Sequence, residues 1–292
     1  MSNLPLLSVA RLAKQATFGW LPLATLQSRS GRQFAGGTPL PLPLSTVKQP
    51  KHMNSLAAFA EAGPPESNRQ TFVKALLLDV AGTLLNPTEP VTEVYRRYDR
   101  NHVITATDAE MLRRFRSAYN RPWGRSTIRY VGDGREFWKY VVTETTGCND
   151  NEFFEGIYEY YARKEAWRVT SGAIECLREL KEKGVKIALV SNFDTRLRRI
   201  LEDMQLTSLF DAVIVSAEVS AEKPNPVIFT AAVETLGLSP EECVHVGDDR
   251  RNDLWGARDA GCHALLWGYD VQDMAQVKQW VEHGCVEDDD TC

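Results

Sequence analysis

The chain has 292 residues, of which 43% are hydrophobic and 25% are charged, a composition ordinary for a soluble protein with a full core. Its 34 basic and 39 acidic side chains give a net charge of −5, which offers no general attraction to nucleic acid. No apolar run approaches the roughly 20 residues that a membrane span requires. We therefore expect neither a nucleic-acid nor a membrane partner.

The first 70 residues differ in composition from the rest of the chain. No Asp or Glu occurs between Met1 and Ala60, whereas basic residues are spread among Ser, Thr, Ala and Leu. This pattern predicts an organelle transit peptide followed by a linker over residues 1–70. Ser, Thr and Pro content favours a plastid slightly, whereas Arg11 and Lys14 beside leucines would suit a mitochondrial amphipathic helix. The alternatives are an untargeted tail or a product that begins at Met53.

From Thr71 onward, short aliphatic runs alternate with helical stretches. This alternation predicts an α/β fold with a Rossmann-like parallel sheet and crossover helices. The predicted strands are Lys74–Leu78, Val185–Val190, Ala212–Ser216, Cys243–Val246 and His263–Trp267.

Between Asn86 and about Thr170 the strand signal disappears and the sequence becomes helical, aromatic and rich in arginine. An insertion of roughly eighty residues is too long for a loop in a compact domain and predicts a helical subdomain. We therefore assign residues 71–88 and 170–283 to a core, 89–169 to the helical insertion and 284–292 to an acidic tail.

An aspartate follows the first predicted strand, in the sequence Leu78-Asp79-Val-Ala81-Gly82-Thr83. A carboxylate at this position can act as a nucleophile and as a hard oxygen ligand for magnesium. Gly82 and Thr83 permit a tight turn that brings backbone N–H groups toward a phosphate. Ala81 would offer only its carbonyl oxygen to a metal.

Three further polar segments follow the later strands in order. Ser191 and Asn192 end the second strand, and a hydroxyl there can bind a phosphoryl oxygen. Lys223 precedes two prolines and can neutralise negative charge. The segment Gly247-Asp248-Asp249 with Asp253 can aim carboxylates into the crevice outside the strand ends, where open α/β sheets bind ligands.

These four segments together resemble the motifs of the haloacid dehalogenase-like (HAD) hydrolase superfamily, in its dehalogenase-type subfamily with a helical cap. The resemblance covers about Phe72 to Gly268 and identifies the insertion as that cap. It implies a small phosphorylated substrate, Asp79 as nucleophile and Lys223 as its catalytic partner. The implied sets are Gly82, Thr83, Ser191, Asn192 and Lys223 for substrate binding, and Asp79, Ala81, Asp248 and Asp253 for Mg²⁺.

Ala81 departs from the family pattern, because HAD phosphatases carry a second aspartate there that protonates the leaving group. A general acid typically contributes 10²–10⁴-fold in rate, so hydrolysis of esters with poor leaving groups should be slow. Three functions stay open: a magnesium-dependent phosphatase-like hydrolase, a weakly active or inactive phospho-ligand-binding protein, and a phosphonatase or dehalogenase. Phosphonatases share Asp-x-Ala-Gly-Thr but use a cap lysine, for which Lys139 and Lys164 are the interior candidates.

Overall fold

The computed structural model describes residues 71–122 and 128–286, so the predicted transit peptide and linker, and residues 287–292 of the predicted tail, lie outside the described residues. The described chain contains a five-stranded parallel sheet in the order β5-β4-β1-β6-β7 and a two-stranded antiparallel ribbon, β2-β3. The strands are β1 (Ala75–Leu78), β2 (Leu85–Pro87), β3 (Trp167–Val169), β4 (Lys186–Ser191), β5 (Ala212–Val215), β6 (Cys243–Gly247) and β7 (His263–Leu266). The predicted parallel sheet is confirmed, with strand ends within one residue of those expected.

Ten α-helices are described, together with 3₁₀ turns and a π-helical turn, Arg250–Trp255, that leads into α9. The helices are α1 (Val91–Tyr98), α2 (Asp108–Asn120), α3 (Arg135–Thr146), α4 (Asn151–Tyr160), α5 (Ala173–Glu182), α6 (Arg196–Asp203), α7 (Ser216–Val219), α8 (Pro226–Leu236), α9 (Gly256–Asp259) and α10 (Met274–His283).

Strand β1 lies at the centre of the sheet and is buried on both faces. Leu76 and Leu78 pack with residues of α5, α6 and α10, whereas Ala75 and Leu77 pack with residues of α8 and α9. Burial on both faces explains why this strand is a continuous apolar run, as is usual in parallel sheets. The sheet is therefore a middle layer between two layers of helices.

Helices α1–α4 form the cap, a separate bundle between β2 and β3 with its own aromatic core. Amphipathic helices of this length are stabilised by burying their apolar faces against one another. The largest fully buried side chains of this bundle include Tyr95, Met111, Tyr130, Phe137 and Ile157.

The ribbon of β2 and β3 was not expected from the sequence, because three-residue strands carry too little pattern to be recognised. Leu85 pairs with Val169, and Pro87 pairs with Trp167. The Thr170 hydroxyl also donates a 2.5 Å hydrogen bond to the Thr83 carbonyl oxygen. The chain therefore enters and leaves the cap along adjacent paths that begin only a few residues after Asp79.

In the described part of the chain, every helix is too short or too polar to cross a membrane.

Candidate active site

The candidate site lies at the carboxyl edge of the parallel sheet. Asp79 follows β1, Ser191 ends β4 and Asp248 follows β6. Because these neighbouring strands run in the same direction, their carboxyl ends bring the three side chains to one edge of the sheet. One ligand atom each from Asp79, Asp248 and Asp253 lies within 4.8 Å of the others. The structure thus brings three carboxylates together beside the ends of β1 and β6.

Lys223 connects two of these carboxylates. Its Nζ is buried and donates to Asp79 Oδ1 at 2.7 Å, to Asp253 Oδ1 at 2.6 Å and to the Val190 carbonyl oxygen at 2.8 Å. An ammonium group has three hydrogens, so these acceptors use all of them. The lysine is therefore held at a fixed point against the Asp79 carboxylate.

Asn192 holds the backbone of that lysine. Its side-chain Oδ1 accepts from the Lys223 N–H at 2.7 Å, and its Nδ2 donates to the Lys223 carbonyl oxygen at 3.0 Å. Both ends of the amide are thus committed to the loop that carries Lys223. The side chain therefore positions Lys223, and the substrate-binding role expected for Asn192 stays a prediction, because its Nδ2 carries a second hydrogen. Ser191 Oγ, by contrast, faces Asp79 Oδ1 at 3.4 Å, a long hydrogen bond.

Asp253 enters the site from the π-helical turn after β6. It is fully buried, and its Oδ2 accepts from the Asp249 N–H at 2.8 Å. Gly247 makes this possible, because a Cβ at that position would collide with the Asp253 side chain. The Asp249 carboxylate accepts from the Arg251 and Asn252 N–H groups instead, at 2.9 and 2.8 Å, and so caps the turn.

His245 lies beneath Asp253 and was missed in the sequence. Its Nε2 is 3.1 Å from Asp253 Oδ1. Burial lowers the pKa of the imidazole, which a hydrogen bond from the ring to Asp253 only partly offsets, so the ring is neutral. A neutral ring beside an acceptor-only carboxylate must carry its hydrogen on Nε2. The only sequence signal was one polar residue within an apolar strand.

The turn after Asp79 was expected to bring the backbone N–H groups of Gly82 and Thr83 toward a phosphate, but these groups bond within the turn. Gly82, at φ 95°, donates its N–H to the Leu85 carbonyl oxygen at 2.9 Å, and the Thr83 N–H donates to the Val80 carbonyl oxygen at 3.3 Å. Gly82 and Thr83 therefore shape the turn, and their N–H groups are not aimed at a ligand as expected, whereas the substrate-binding assignment of the two residues stays a prediction. The N–H groups of Val80 and Ala81 make no hydrogen bond to any described residue.

The donor set fits a divalent cation of the magnesium type. Hard cations of this kind bind carboxylate oxygens, and the cluster supplies three carboxylates. One ammonium, that of Lys223, faces two of them, so a divalent ion would balance the remaining negative charge. Asp79, Asp248 and Asp253 are the side chains that would hold it.

A buried carboxylate of the core, Asp194, attaches the cap on one side. Its Oδ2 accepts from Trp138 Nε1 of the cap at 2.9 Å, and both of its oxygens accept from Arg196. Arg196 also donates to the Tyr158 carbonyl oxygen at 2.9 Å, and its guanidinium carbon lies 3.7 Å from the centre of the Tyr158 ring. Asp194 and Arg196 thus join the core to helices α3 and α4.

A second core carboxylate, Glu222, binds the cap next to Lys223. It accepts from the backbone N–H and from Nε of Arg129, the latter at 2.8 Å, and from the Tyr130 N–H at 3.3 Å. Because Glu222 immediately precedes Lys223, the cap contacts the same loop that supplies the site lysine. Sequence reasoning missed both attachments, since an isolated Asp or Glu beside a motif carries no signal of its distant partner.

With the geometry described, comparison with known proteins defines the class. A family model for haloacid dehalogenase-like hydrolases matches residues 73–261, so the chain belongs to that family. The resemblance seen in the sequence is thereby confirmed.

Individual relatives agree with this placement. The chain is 33% identical over 205 residues to the human haloacid dehalogenase-like hydrolase domain-containing protein 3, which covers 66% of this chain and 81% of that protein. It is 34% identical over 134 residues to the N-acylneuraminate-9-phosphatase of Rattus norvegicus, which covers 44% and 54% of the two chains. Among solved structures, a HAD phosphatase from Thermococcus onnurineus superposes with a TM-score of 0.53 and 25% identity, over 70% of this chain and 96% of the other.

Proposed function

We propose that this protein is a magnesium-dependent phosphohydrolase in which the Asp79 carboxylate attacks the phosphorus of a small phosphorylated substrate. The position of Asp79 carries the proposal: it lies at the carboxyl edge of the sheet, 2.7 Å from Lys223 Nζ and within the three-carboxylate cluster. Relatives named as phosphatases support the reaction class.

In the first step, an Asp79 oxygen bonds to phosphorus while the bond from phosphorus to the leaving-group oxygen breaks, and that oxygen keeps the electron pair. The Val80 and Ala81 N–H groups and the Ser191 hydroxyl are the donors for the phosphoryl oxygens. Lys223 lowers the cost of bringing a carboxylate against an anionic phosphate by offsetting charge at Asp79. The product is an aspartyl phosphate and the free leaving group.

In the second step, water attacks that phosphorus, the bond to the Asp79 oxygen breaks and inorganic phosphate forms. An acid–base residue at position 81 would protonate the leaving group and then deprotonate the water, but alanine does neither. The first step is therefore slowed for alkyl esters, and the second step, which starts from the same aspartyl phosphate, is slowed for every substrate. Acyl and aryl phosphates keep a usable first step because their leaving groups need little protonation.

Magnesium bound by Asp79, Asp248, Asp253 and the Ala81 carbonyl would supply charge neutralisation for the phosphate. Asp79 and Asp253 also contact Lys223, so lysine and metal would share these carboxylates from different sides. The site thus has fixed positive charge before any substrate binds.

Ala81 also favours a second candidate, a protein that binds a phosphorylated ligand, or retains the phosphoryl group, without releasing phosphate. The Schiff-base chemistry of a phosphonatase has less support. Lys139 of the cap donates to Asn151 Oδ1 at 2.7 Å, and the described walls of the cavity beneath the cap contain no lysine. The retained acidic cluster also argues against metal-free dehalogenation.

Phosphate release from acetyl phosphate tests the proposal, because the first step with this substrate does not need the missing acid. We expect Mg²⁺-dependent release by the wild-type protein that a chelator abolishes. Binding of beryllium fluoride with Mg²⁺ but no release would establish the phospho-ligand-binding alternative. Neither release nor binding would overturn the assignment of Asp79 as a phosphoryl acceptor.

We also propose, from composition alone, that residues 1–70 direct the protein to an organelle, with a plastid slightly favoured over a mitochondrion. A fusion of residues 1–70 to a fluorescent protein should localise to the organelle in a plant cell. A diffuse cytosolic signal would contradict the proposal.

A further inference from the structure

A cavity of about 90 Å³ lies between the cap and the loop that follows the nucleophile. Ala81, Gly82 and Asn192 line it on the core side, and aromatic side chains of the cap line the opposite side. Ala81 is two residues beyond Asp79, so the cavity begins where the leaving group of a phosphate bound at Asp79 must be. The chemistry of its walls therefore decides which leaving group fits.

The hydroxyl groups of the cavity tyrosines are mostly used within the protein. The hydroxyls of Tyr119 and Tyr130 are hydrogen-bonded to each other at 3.0 Å, and the Tyr158 hydroxyl donates to the Asp133 carbonyl oxygen at 2.6 Å. Tyr161 and Tyr95 are the exceptions: the buried Tyr161 hydroxyl has no partner among the described residues, and the Tyr95 hydroxyl makes no hydrogen bond to them either. Two separate hydroxyls are too few to satisfy a leaving group with many hydroxyls.

The other polar side chains in the walls are also committed. Trp138 Nε1 donates to Asp194 at 2.9 Å, Trp167 Nε1 donates to the Tyr161 carbonyl oxygen at 3.0 Å, and both ends of the Asn192 amide bind the Lys223 backbone. These residues present their rings and carbon atoms to the cavity. A polyhydroxylated group placed there would lose its hydrogen bonds to water without replacement, which is costly.

The walls also offer little charge to a ligand. Among the described lining residues, Arg196 is the one charged side chain, and it is already paired with the buried Asp194 and with the Tyr158 carbonyl oxygen. Burial raises the pKa of Tyr130, Tyr158 and Tyr161, so these phenols are neutral. A second anionic group on the substrate would therefore find no unpaired cation in this wall.

We propose that this cavity is a leaving-group site for a small apolar, planar group, no larger than one aromatic ring. The inference rests on the proposed function, because it takes Asp79 as the phosphoryl acceptor. A cavity of roughly 150 Å³ lined by Leu, Ile and Phe binds benzene, and this smaller, partly open one limits the group to a single ring. Ala81 agrees with this class, since aryl and aroyl oxygens leave without an acid.

Benzoyl phosphate and acetyl phosphate test the proposal as a matched pair. Both substrates release a carboxylate of similar acidity, so the bond to phosphorus should break about equally easily. A difference in kcat/KM therefore measures the contribution of the aromatic ring. We expect kcat/KM to be about tenfold or more higher for benzoyl phosphate, the size of effect that burying a few carbon atoms in an apolar pocket produces. An equal or lower value for benzoyl phosphate would overturn the leaving-group site while leaving the phosphohydrolase intact.

Variants of one cap residue test the location. Val142 lines the cavity, whereas its neighbour Val141 is buried elsewhere in the cap core. Val142→Phe should bring the benzoyl-to-acetyl ratio close to one by filling the space. Val141→Ala should keep the wild-type ratio, which controls for general loosening of the cap. A Val142→Phe protein that folds, as judged by its melting temperature, and keeps the wild-type ratio would overturn the location.

Binding to the unmodified protein tests the proposal without turnover or variants. With Mg²⁺ present, benzylphosphonate should bind about tenfold or more tightly than methylphosphonate by calorimetry. Equal binding of both would overturn the apolar site even if acetyl phosphate is hydrolysed. Tighter binding of benzylphosphonate without hydrolysis of any substrate would support the cavity while removing the phosphohydrolase, so the two failures are distinguishable.

Discussion

The sheet edge and the cap differ in almost every physical respect. At the edge, short, charged hydrogen bonds join Lys223 to Asp79 and Asp253, and Asp248 lies in the same carboxylate cluster. Beneath the cap, the wall is mostly aromatic: its one charged side chain among the described residues, Arg196, is paired with Asp194, and most of its polar atoms bond within the protein. The first arrangement suits any phosphate, whereas the second suits only certain leaving groups. Under the proposed function, reaction class and substrate choice depend on different parts of the fold, and Ala81 lies at the boundary between them.

The largest effect should come from the nucleophile at the sheet edge. Asp79→Asn removes the attacking carboxylate, and we expect loss of phosphate release from acetyl phosphate by on the order of 10⁴-fold, typical for removal of a nucleophile. Benzylphosphonate binding to the cap cavity should persist, which separates the two regions. Residual turnover within tenfold of wild type would exclude Asp79 as the nucleophile.

The junction of the two regions should respond next most strongly. Asp194→Asn removes the buried counter-charge of the partly buried Arg196, which should lower the free energy of unfolding by about 3 kcal/mol in denaturant titrations.

Glu218→Gln is the matched control, since Glu218 pairs with the exposed Arg198, which lies on the same helix as Arg196. Its effect should stay within about 0.5 kcal/mol, because exposed ion pairs contribute little. Similar effects of the two substitutions would show that Asp194 is not an important attachment of the cap.

The metal site allows a comparison of adjacent residues. Asp248→Asn should weaken magnesium binding by about tenfold or more in calorimetry, because it removes a charged ligand from the cluster. Asp249→Asn should leave the affinity nearly unchanged, since that carboxylate caps the π-helical turn. Equal losses in both variants would place the metal elsewhere.

The smallest effect concerns position 81, on the boundary between the regions. Ala81→Asp should raise turnover of alkyl phosphates relative to acyl phosphates by about tenfold, discounted from the full value of a general acid because the site has not been shaped around that carboxylate.

In rapid-mixing experiments the wild-type protein should release one equivalent of leaving group from acyl phosphates before steady turnover, because no base activates water. Ala81→Asp should remove this burst. Equal acceleration of alkyl and acyl substrates would argue against a simple missing acid.

Several features of the fold could be predicted because their patterns are local. Five aliphatic runs separated by helical stretches predict parallel strands, and the sheet confirms them within one residue at each end. The two-stranded ribbon could not be predicted, because it pairs residues that are 80 to 84 positions apart in the sequence and each strand has only three residues.

The sequence by itself determined the family, the parallel sheet and the strand-end positions of Asp79, Ser191 and Asp248, because these depend on short segments and on the direction of neighbouring strands. Tertiary structure alone decided how the polar atoms are shared: Asn192 holds Lys223, Gly82 and Thr83 close a turn, and two cap tyrosines, Tyr119 and Tyr130, bond to each other. Each polar atom can make only a small number of hydrogen bonds. Packing of segments that are distant in the sequence decides which partners come close enough to make them.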